Sequence, residues 1–230
     1  MSPDISKDPR ILMVEYALKS LKDLTINKRY KLPSSKETTM KAIKKMNSSI
    51  KNIKYSYIPP SELAKDKRIK DFELMSEQFW NAIIKVNKDI DKHLLINFEL
   101  KFIFKILKGF KKRLSLGDNV SLDKAIDIIA VRINNVSKLK NKENLYLCRV
   151  GDGEKIINVI TNLQDIKKDI VIPAAILPPQ DFDSEVSTAM FCSSQNMPEM
   201  NGHIGERVLN LSEEIMKEVN YQIMKLIKTL

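Results

Sequence analysis

The sequence predicts an α+β protein with several domains: an all-helical first half, a β domain of short strands, and a helix at the C-terminus. Three observations lead to this prediction. Glycine is absent before Gly109, and proline is absent between Pro60 and Pro173. A segment without either residue permits long helices. The second half instead contains short runs rich in isoleucine and valine, separated by turns, which is typical of strands.

The first half begins with two helical segments. In "DPRILMVEYALKSLKDL", Asp8 is suited to the N-cap position and Pro9 to the first helical position. A second helix is predicted from about residue 35 to 55, with Ser34 or Ser35 as its cap. One side of that helix is apolar, consisting of Met40, Ile43, Met46, Ile50 and Ile53. The other side carries lysines, namely Lys36, Lys41, Lys44, Lys45, Lys51 and Lys54.

Two more helices are predicted before the β domain. Pro59 and Pro60 break the chain, and Ser61 is expected to cap the helix that follows. That helix has an apolar stripe of Phe72, Met75, Phe79, Ile83, Val86 and Ile90. The segment "LLINFELKFIFKILKGFKKRL" is more apolar, so it is expected either at the centre of a bundle or against a second subunit.

The second half is predicted to contain about five short strands, which fits a small closed barrel or a sandwich. Gly151-Asp152-Gly153 indicates a hairpin between two of them. The last segment is an amphipathic helix capped by Ser212. Docking of that helix on its own domain is the first expectation, and pairing with a second subunit is the alternative. The predicted domains are a basic helical domain (1–118), the β domain (119–210) and the terminal helix (211–230).

Charge is distributed unequally between these parts. The net charge of the chain is +10, of which residues 1–123 carry +11 and residues 124–210 carry −1. Such an excess favours a polyanionic partner. A basic proteome without a functional reason for the charge is the alternative explanation.

Several classes of function find no support in the sequence. There is no glycine-rich phosphate loop and no nucleophile elbow, so we expect a non-catalytic protein without a cofactor. Cys148 and Cys192 do not have the spacing of metal ligands, and no metal site is expected. No apolar run is long enough to cross a bilayer and the N-terminus is polar, so a cytoplasmic location without membrane attachment is predicted.

Four segments of the second half resemble a known family. They are "LYLCRV" (145–150), "INVITNL" (157–163), "LPP" (177–179) and "VSTAMF" (186–191). Their order resembles the tRNA-binding OB-fold domain of the endothelial-monocyte-activating-polypeptide type, a five-stranded barrel found in synthetases and in free-standing tRNA-binding proteins. A helical domain before such a barrel is similar to the arrangement of archaeal RNA-binding proteins. The resemblance implies tRNA or another structured RNA as partner, an association with an aminoacyl-tRNA synthetase, and a homodimer.

The chain departs from the family pattern in one loop. The family has several cations after its prolines, whereas this chain has Gln180, Asp181, Asp183 and Glu185. Carboxylates repel phosphates, so the affinity of this surface for RNA is expected to be lower. Three explanations stay open: the helical half captures the RNA, the acidic loop binds a basic protein, or the loop faces the lysine-rich part of its own chain.

The candidate RNA contacts lie in both halves. Those of the barrel are Lys138, Lys140, Lys142, Tyr146, Asn162, Ser187 and Met190. Those of the helical half are Lys41, Lys44, Lys45, Lys111, Lys112 and Arg113. The three barrel lysines belong to a loop that OB-folds use for nucleic acids, although a solvated turn is equally consistent with them. Asn162, Ser187 and Met190 are candidates through the resemblance alone, and core packing is the stronger interpretation for Met190.

The sequence therefore predicts a non-catalytic RNA-binding protein, with tRNA as the first choice of ligand. The alternative is a protein-interaction or assembly module, for example one associated with a synthetase, with residual or no RNA binding. The acidic replacement at 180–185 is the feature that separates the two hypotheses.

Overall fold

The chain folds into two compact units. The computed structural model describes residues 4–90, 92, 94–140, 142–183 and 185–230. The first unit, called the helical unit here, comprises Met1–Ala125 and Ile223–Leu230, and the second, called the barrel unit, comprises Ile126–Gln222.

In the described residues, six helices lie in the first half and one at the C-terminus. Their bounds are α1 (Pro9–Ile26), α2 (Lys36–Lys54), α3 (Pro60–Leu63), α4 (Lys67–Val86), α5 (Leu95–Lys108), α6 (Phe110–Leu114) and α7 (Glu213–Ile227). Two short 3-10 turns occur at Leu122–Lys124 and Pro198–His203. The predicted α+β class, with a helical first half, five strands and a terminal helix, is confirmed.

The helix caps agree largely with the sequence. Asp8 caps α1 with Pro9 in the first turn, and its carboxylate accepts a hydrogen bond from the backbone N–H of Arg10. Ser35 caps α2 by accepting from the N–H of Thr38 at 3.1 Å. The hydroxyl of Ser212 accepts from the N–H of Ile215 at the start of α7. Short polar side chains at these positions satisfy N–H groups that have no partner inside the helix.

Two expectations for the first half are corrected. Ser61 does not cap a helix, because α3 begins one residue earlier and α4 is capped by Asp66 instead. The N–H and the hydroxyl of Ser61 both donate to Asp118, at 2.8 and 2.9 Å. The long apolar helix is also divided at Gly109, where α5 ends and α6 begins. A Cβ at Gly109 would lie 2.7 Å from Nη1 of Arg113, so the break leaves room for that side chain.

Apolar contacts between helices form the core of the helical unit. Phe72 of α4 packs edge-to-face on Phe110 of α6, with ring centroids 5.9 Å apart. Phe79 packs in the same manner on Phe104 of α5 at 5.8 Å. The predicted stripe with Phe72 and Phe79 therefore buries aromatic rings, and α5 is a central helix with most of its apolar side chains buried. Aromatic pairs of this geometry add to the stabilisation that burial provides.

The barrel unit is built from five antiparallel strands. They are β1 (Ile128–Lys138), β2 (Tyr146–Gly151), β3 (Ile156–Thr161), β4 (Val171–Phe182) and β5 (Glu185–Phe191), in the spatial order β3-β2-β1-β4-β5. The predicted hairpin at Gly151-Asp152-Gly153 joins β2 to β3. The two edge strands β3 and β5 lie beside each other, so the sheet closes on itself and its edges are covered.

Ser187 of β5 connects the two edge strands where the barrel closes. Its side chain is 5% exposed, accepts a hydrogen bond from the N–H of Ile160 at 3.0 Å, and donates to the carbonyl of Ala189 at 3.1 Å. The N–H of Ile160 in the edge strand β3 thus finds its acceptor in a side chain. A buried N–H that loses its acceptor costs about 1–3 kcal/mol.

We expect the Ser187→Ala substitution to destabilise the barrel unit by about 1–3 kcal/mol, because the N–H of Ile160 would be buried without a partner. Hydrogen–deuterium exchange read by mass spectrometry should show faster exchange in peptides from β3 and β5. Ser137→Ala is the matched control, since Ser137 is exposed and its hydroxyl donates to Leu147 at 3.4 Å. Equal exchange in the two variants would show that Ser187 does not hold the barrel closed.

The proline segment was expected to be a loop, and this expectation is wrong. Pro178 and Pro179 lie inside β4, which continues to Phe182 and turns directly into β5. The pairing of β4 with β5 is irregular between Ile176 and Gln180. Proline has no N–H to donate, so a bulge of this kind accommodates the two prolines within a strand.

Candidate nucleic-acid interface

The outward side of β2 and β3 presents a polar row. Cys148, Val150 and Val159 are fully buried, so the residues that alternate with them point away from the core. Arg149 of β2 lies directly opposite Asn158 of β3 in the register. We use the term barrel face for the outward residues Arg132, Arg149, Lys155, Ile156 and Asn158.

One end of the barrel face opens into a cleft of about 360 Å³. It is lined by Arg132, Asn134, Gly151, Gly153, Glu154, Lys155, Ile156 and Ile204. Arg132 donates to the amide oxygen of Asn201 at 3.2 Å, which orients its guanidinium group. Two cations, one carboxylate, an amide and two isoleucines give this cleft both charged and apolar contacts for a ligand.

Glycine is required at position 205, next to this cleft. Gly205 has a φ of +87°, and a Cβ there would lie 2.0 Å from the carbonyl oxygen of Asp152. Its N–H donates to the carbonyl of Ala130 at 2.8 Å. The segment that contains Ile204 is thereby held between β1 and the β2–β3 hairpin, and it forms one wall of the cleft.

The predicted lysine loop lies at the other end of the barrel face. Lys138 is the last residue of β1, and Lys140 and Lys142 belong to the connection to β2; all three are exposed. An apolar cluster holds the loop, consisting of Leu139, Leu147 and Ile160 with Leu145 and Phe182 packed against them. The residues at the start and the end of the lysine loop are therefore fixed by apolar packing.

The remaining predicted barrel residues are divided between two places. Tyr146 is half-buried and opposes both Lys138 and Thr161 in the register. Asn162, which is exposed, follows Thr161 directly, so Lys138, Tyr146 and Asn162 come together at one end of the three strands. Met190 lies elsewhere, opposite Ala175 on the β4–β5 pair, and is half-buried. Ser187 uses its hydroxyl in the closure of the barrel, which favours a structural role over RNA contact.

The central row of the candidate interface was not among the residues that the sequence analysis proposed. Arg149 and Asn158 were not among the candidates, although each is a polar residue between buried neighbours in a strand. That alternation is the signal that would have identified them. Asn158 also donates from Nδ2 to Oε2 of Glu185 at 3.0 Å, which places the start of β5 beside the row.

Five of the six candidate residues of the helical unit lie at its surface. Lys44, Lys45 and Lys112 are exposed. Lys41 forms an exposed ion pair with Glu37 at 2.7 Å, and Lys111 a longer one with Glu73 at 3.7 Å. Pairs of this kind are weak and do not prevent a lysine from binding phosphate.

Arg113 is placed differently from the expectation. Arg113 is 1% exposed, and its guanidinium donates to the carbonyl groups of Ile106 and Lys105 near the end of α5. Carbonyl groups near a helix C-terminus carry the negative end of the helix dipole and attract a cation. The suggested contact between Arg113 and phosphate disagrees with this buried position.

The chemistry of the thiols does not indicate a reactive site. Burial raises the pKa of Cys148 to about 11 and that of Cys192 to about 12. Both thiols are therefore protonated and poor nucleophiles at neutral pH. Across the part of the chain that the structure describes, no group of three or more His, Cys, Asp or Glu side chains is arranged to hold a metal ion. In the same residues, none of the helices combines the length and the apolar character needed to span a bilayer.

Two family models match the chain, and together they cover both units. Residues 1–117, about half of the chain, match the family described as "Alpha helical domain". Residues 128–217 match the family described as "Putative tRNA binding domain". The chain belongs to the alpha helical domain family and carries a tRNA binding domain. The resemblance noted from the sequence is thereby confirmed, and neither family is a catalytic one.

A comparison with solved structures also gives matches. One is titled "Crystal structure of MetRS related protein from Pyrococcus horikoshii". It has 17% sequence identity and a TM-score of 0.34, and the match covers 36% of this chain and 90% of that chain. A comparison with curated proteins found no match.

Proposed function

We propose that the protein is a non-catalytic RNA-binding protein that binds tRNA, or another structured RNA, through the barrel face. The observation that carries the proposal is the row of Arg149 and Asn158 on the outward side of β2 and β3, in a domain of the tRNA binding family. OB-folds bind oligonucleotides with this side of the barrel and with the loops at its ends. Arginine contacts phosphates or bases, and an asparagine amide hydrogen-bonds to base edges.

The two ends of the face extend this contact surface. Lys140 and Lys142 stand at one end, and the cleft with Arg132 and Lys155 at the other. Lys138, Tyr146 and Asn162 add a cation, an aromatic ring and an amide. A ring at such a position can stack on an unpaired base, which binds single-stranded RNA without much dependence on sequence.

The helical unit is proposed to supply phosphate contacts without base recognition. Its positive charge is the reason, since residues 1–123 account for the whole excess. Neutralising phosphates releases counterions and makes the affinity depend on salt. The functional division that we propose is a basic helical domain (1–118), an OB-fold RNA-binding domain (119–210) and the terminal helix (211–230), in a cytoplasmic protein without a cofactor.

We expect the protein to bind total tRNA at low salt, and the Arg149→Glu variant to bind it about tenfold more weakly, a change of about 1.4 kcal/mol. Fluorescence anisotropy with labelled tRNA measures both. Lys217→Glu is the matched control, because it makes the same change in charge at an exposed position of α7. No binding by the wild type at micromolar protein would refute the function. Equal weakening of tRNA binding by both substitutions would show that Arg149 does not contact the RNA and that the barrel face is not the binding surface.

A second function, assembly with another protein, is favoured by the exposed apolar side chains of α7. Tyr221 is 62% exposed and Met224 39% exposed. Large apolar side chains on one helix are a common feature of interfaces between proteins. The partner would be a second copy of the chain or an aminoacyl-tRNA synthetase. Analytical ultracentrifugation distinguishes a homodimer from a monomer, and it does so independently of tRNA binding.

A further inference from the structure

The turn between β4 and β5 carries carboxylates against the lysine loop of the same unit. We call Asp181, Phe182, Asp183 and Glu185 the acidic hairpin; Ser184 lies outside the described residues. Oδ2 of Asp183 lies 3.6 Å from Nζ of Lys142. Phe182 packs on the apolar cluster at the base of the lysine loop. The acidic hairpin is thus held beside the loop by an apolar contact as well as by charge.

A second carboxylate of the hairpin reaches the central row. Glu185 accepts a hydrogen bond from the amide of Asn158, which lies opposite Arg149. The carboxylates of Asp183 and Glu185 therefore engage one cation and one amide that the proposed RNA interface would use. An incoming phosphate has to replace them, and it is repelled by both negative charges.

Stability does not account for the ion pair between Lys142 and Asp183. The side chains of Lys142 and Asp183 are 46% and 83% exposed, and ion pairs with that exposure contribute little to folding. The hairpin is anchored by Phe182 and by the pairing of Phe182 with Glu185. Removing the two charges should therefore leave the barrel folded and change its electrostatic potential alone.

We propose that the acidic hairpin is a specificity determinant of the RNA interface. It lowers the affinity for polyanions in general and favours RNA that offers unpaired bases. Carboxylates accept hydrogen bonds from base amino groups, such as N4 of cytosine, whereas a phosphate offers no donor to compensate for the repulsion. Discrimination by an unfavourable contact with the wrong ligand is a general way to obtain specificity. This inference rests on the proposed function of the barrel face.

The test uses a variant that keeps the shape of the hairpin, Asp183→Asn combined with Glu185→Gln. Its affinity for two probes, total tRNA and a fully paired RNA duplex, is compared with that of the wild type by fluorescence anisotropy. We expect duplex binding to become about tenfold tighter, with a steeper dependence on salt, and tRNA binding to change by less than about threefold. The control is Asp165→Asn combined with Glu199→Gln, which removes two exposed carboxylates from elsewhere in the barrel unit.

Each outcome decides the inference. A larger gain for the duplex than for tRNA, absent from the control, supports it. Equal gains for both probes, or the same gain in the control variant, would show an effect of net charge and overturn it. If the wild type binds tRNA and the variant has the same ratio of duplex affinity to tRNA affinity as the wild type, the inference is overturned but the proposed function is left intact. Failure of wild type and variant to bind either RNA refutes both.

Discussion

Replacing Asp8 by alanine should destabilise the helical unit by about 3–5 kcal/mol, because it leaves the charge of Arg10 buried without its counterion. Both residues are almost completely buried. The guanidinium of Arg10 forms two hydrogen bonds with the Asp8 carboxylate, at 2.9 and 2.6 Å, and Nη1 donates to the carbonyl of Gly117 at 2.7 Å. The pair therefore joins the start of α1 to the chain beyond α6.

The chain contains a matched control for this substitution. Asp66 caps α4 and binds Arg68 with the same geometry, at 3.0 and 2.7 Å, but this pair is partly exposed. Water stabilises Arg68 when its partner is removed, so Asp66→Ala should cost about 1 kcal/mol, the usual value of an N-cap. Trp80 is the single tryptophan and lies in α4, so urea unfolding followed by its fluorescence reports on the helical unit. Equal losses in the two variants would show that burial of the Asp8–Arg10 pair is unimportant.

The stability that Asp66 contributes should also depend on pH. Hydrogen bonds from Arg68 lower the pKa of the Asp66 carboxyl below its ordinary value. The stability that this carboxylate contributes is present above the pKa of the unfolded state and is lost as the pH falls through the lower folded value. The difference between wild type and Asp66→Ala should therefore decrease under acidic conditions.

The features that the sequence predicted are those with a local cause. Asp8 and Ser35 cap helices because their side chains reach N–H groups two or three residues away. The turn at Gly151-Asp152-Gly153 joins neighbouring strands for a similarly local reason. The order of the strand segments, together with the resemblance, was sufficient to predict an OB-fold. For the caps and the turn, the information lies within a few residues of the structure that it determines, whereas the OB-fold was predicted from the order of segments along the chain.

The features that were missed depend on distant contacts. Arg113 follows two lysines in "KKRL", and nothing in that stretch shows that its side chain turns inward to the carbonyl groups of α5. Pro178 and Pro179 indicated a loop, but pairing with β5 extends the strand past them. Tertiary contacts override local preference at such positions.

The sequence predicted some of the residues that line the candidate site. The lysine loop, Tyr146 and Asn162 were among its candidates, whereas Arg149 and Asn158 were not. The sequence also left open what the acidic segment faces. The contact between Asp183 and Lys142 shows that it lies against the lysine loop of its own barrel, an arrangement that depends on two segments about forty residues apart.

Reversing the charge of three lysines on α2 should weaken RNA binding strongly. The combined Lys41→Glu, Lys44→Glu and Lys45→Glu variant is expected to bind tRNA about 100-fold more weakly. The slope of log affinity against log salt concentration should become shallower by roughly two to three. The three side chains are exposed, and the buried side of the helix, with Ile43 and Met46, is unchanged. Fluorescence anisotropy at several salt concentrations gives both quantities, and circular dichroism verifies that α2 still folds.

A second triple variant separates a specific surface from total charge. Lys217, Lys225 and Lys228 lie in or directly after α7, and their reversal to glutamate changes the net charge by the same amount. If α2 contacts the phosphates, this variant should retain most of its affinity and its full salt dependence, because exposed charges that do not contact a phosphate are largely screened at physiological ionic strength. If both triple variants lose affinity equally, the excess charge of the helical unit acts only through the overall field, and α2 is no part of the interface.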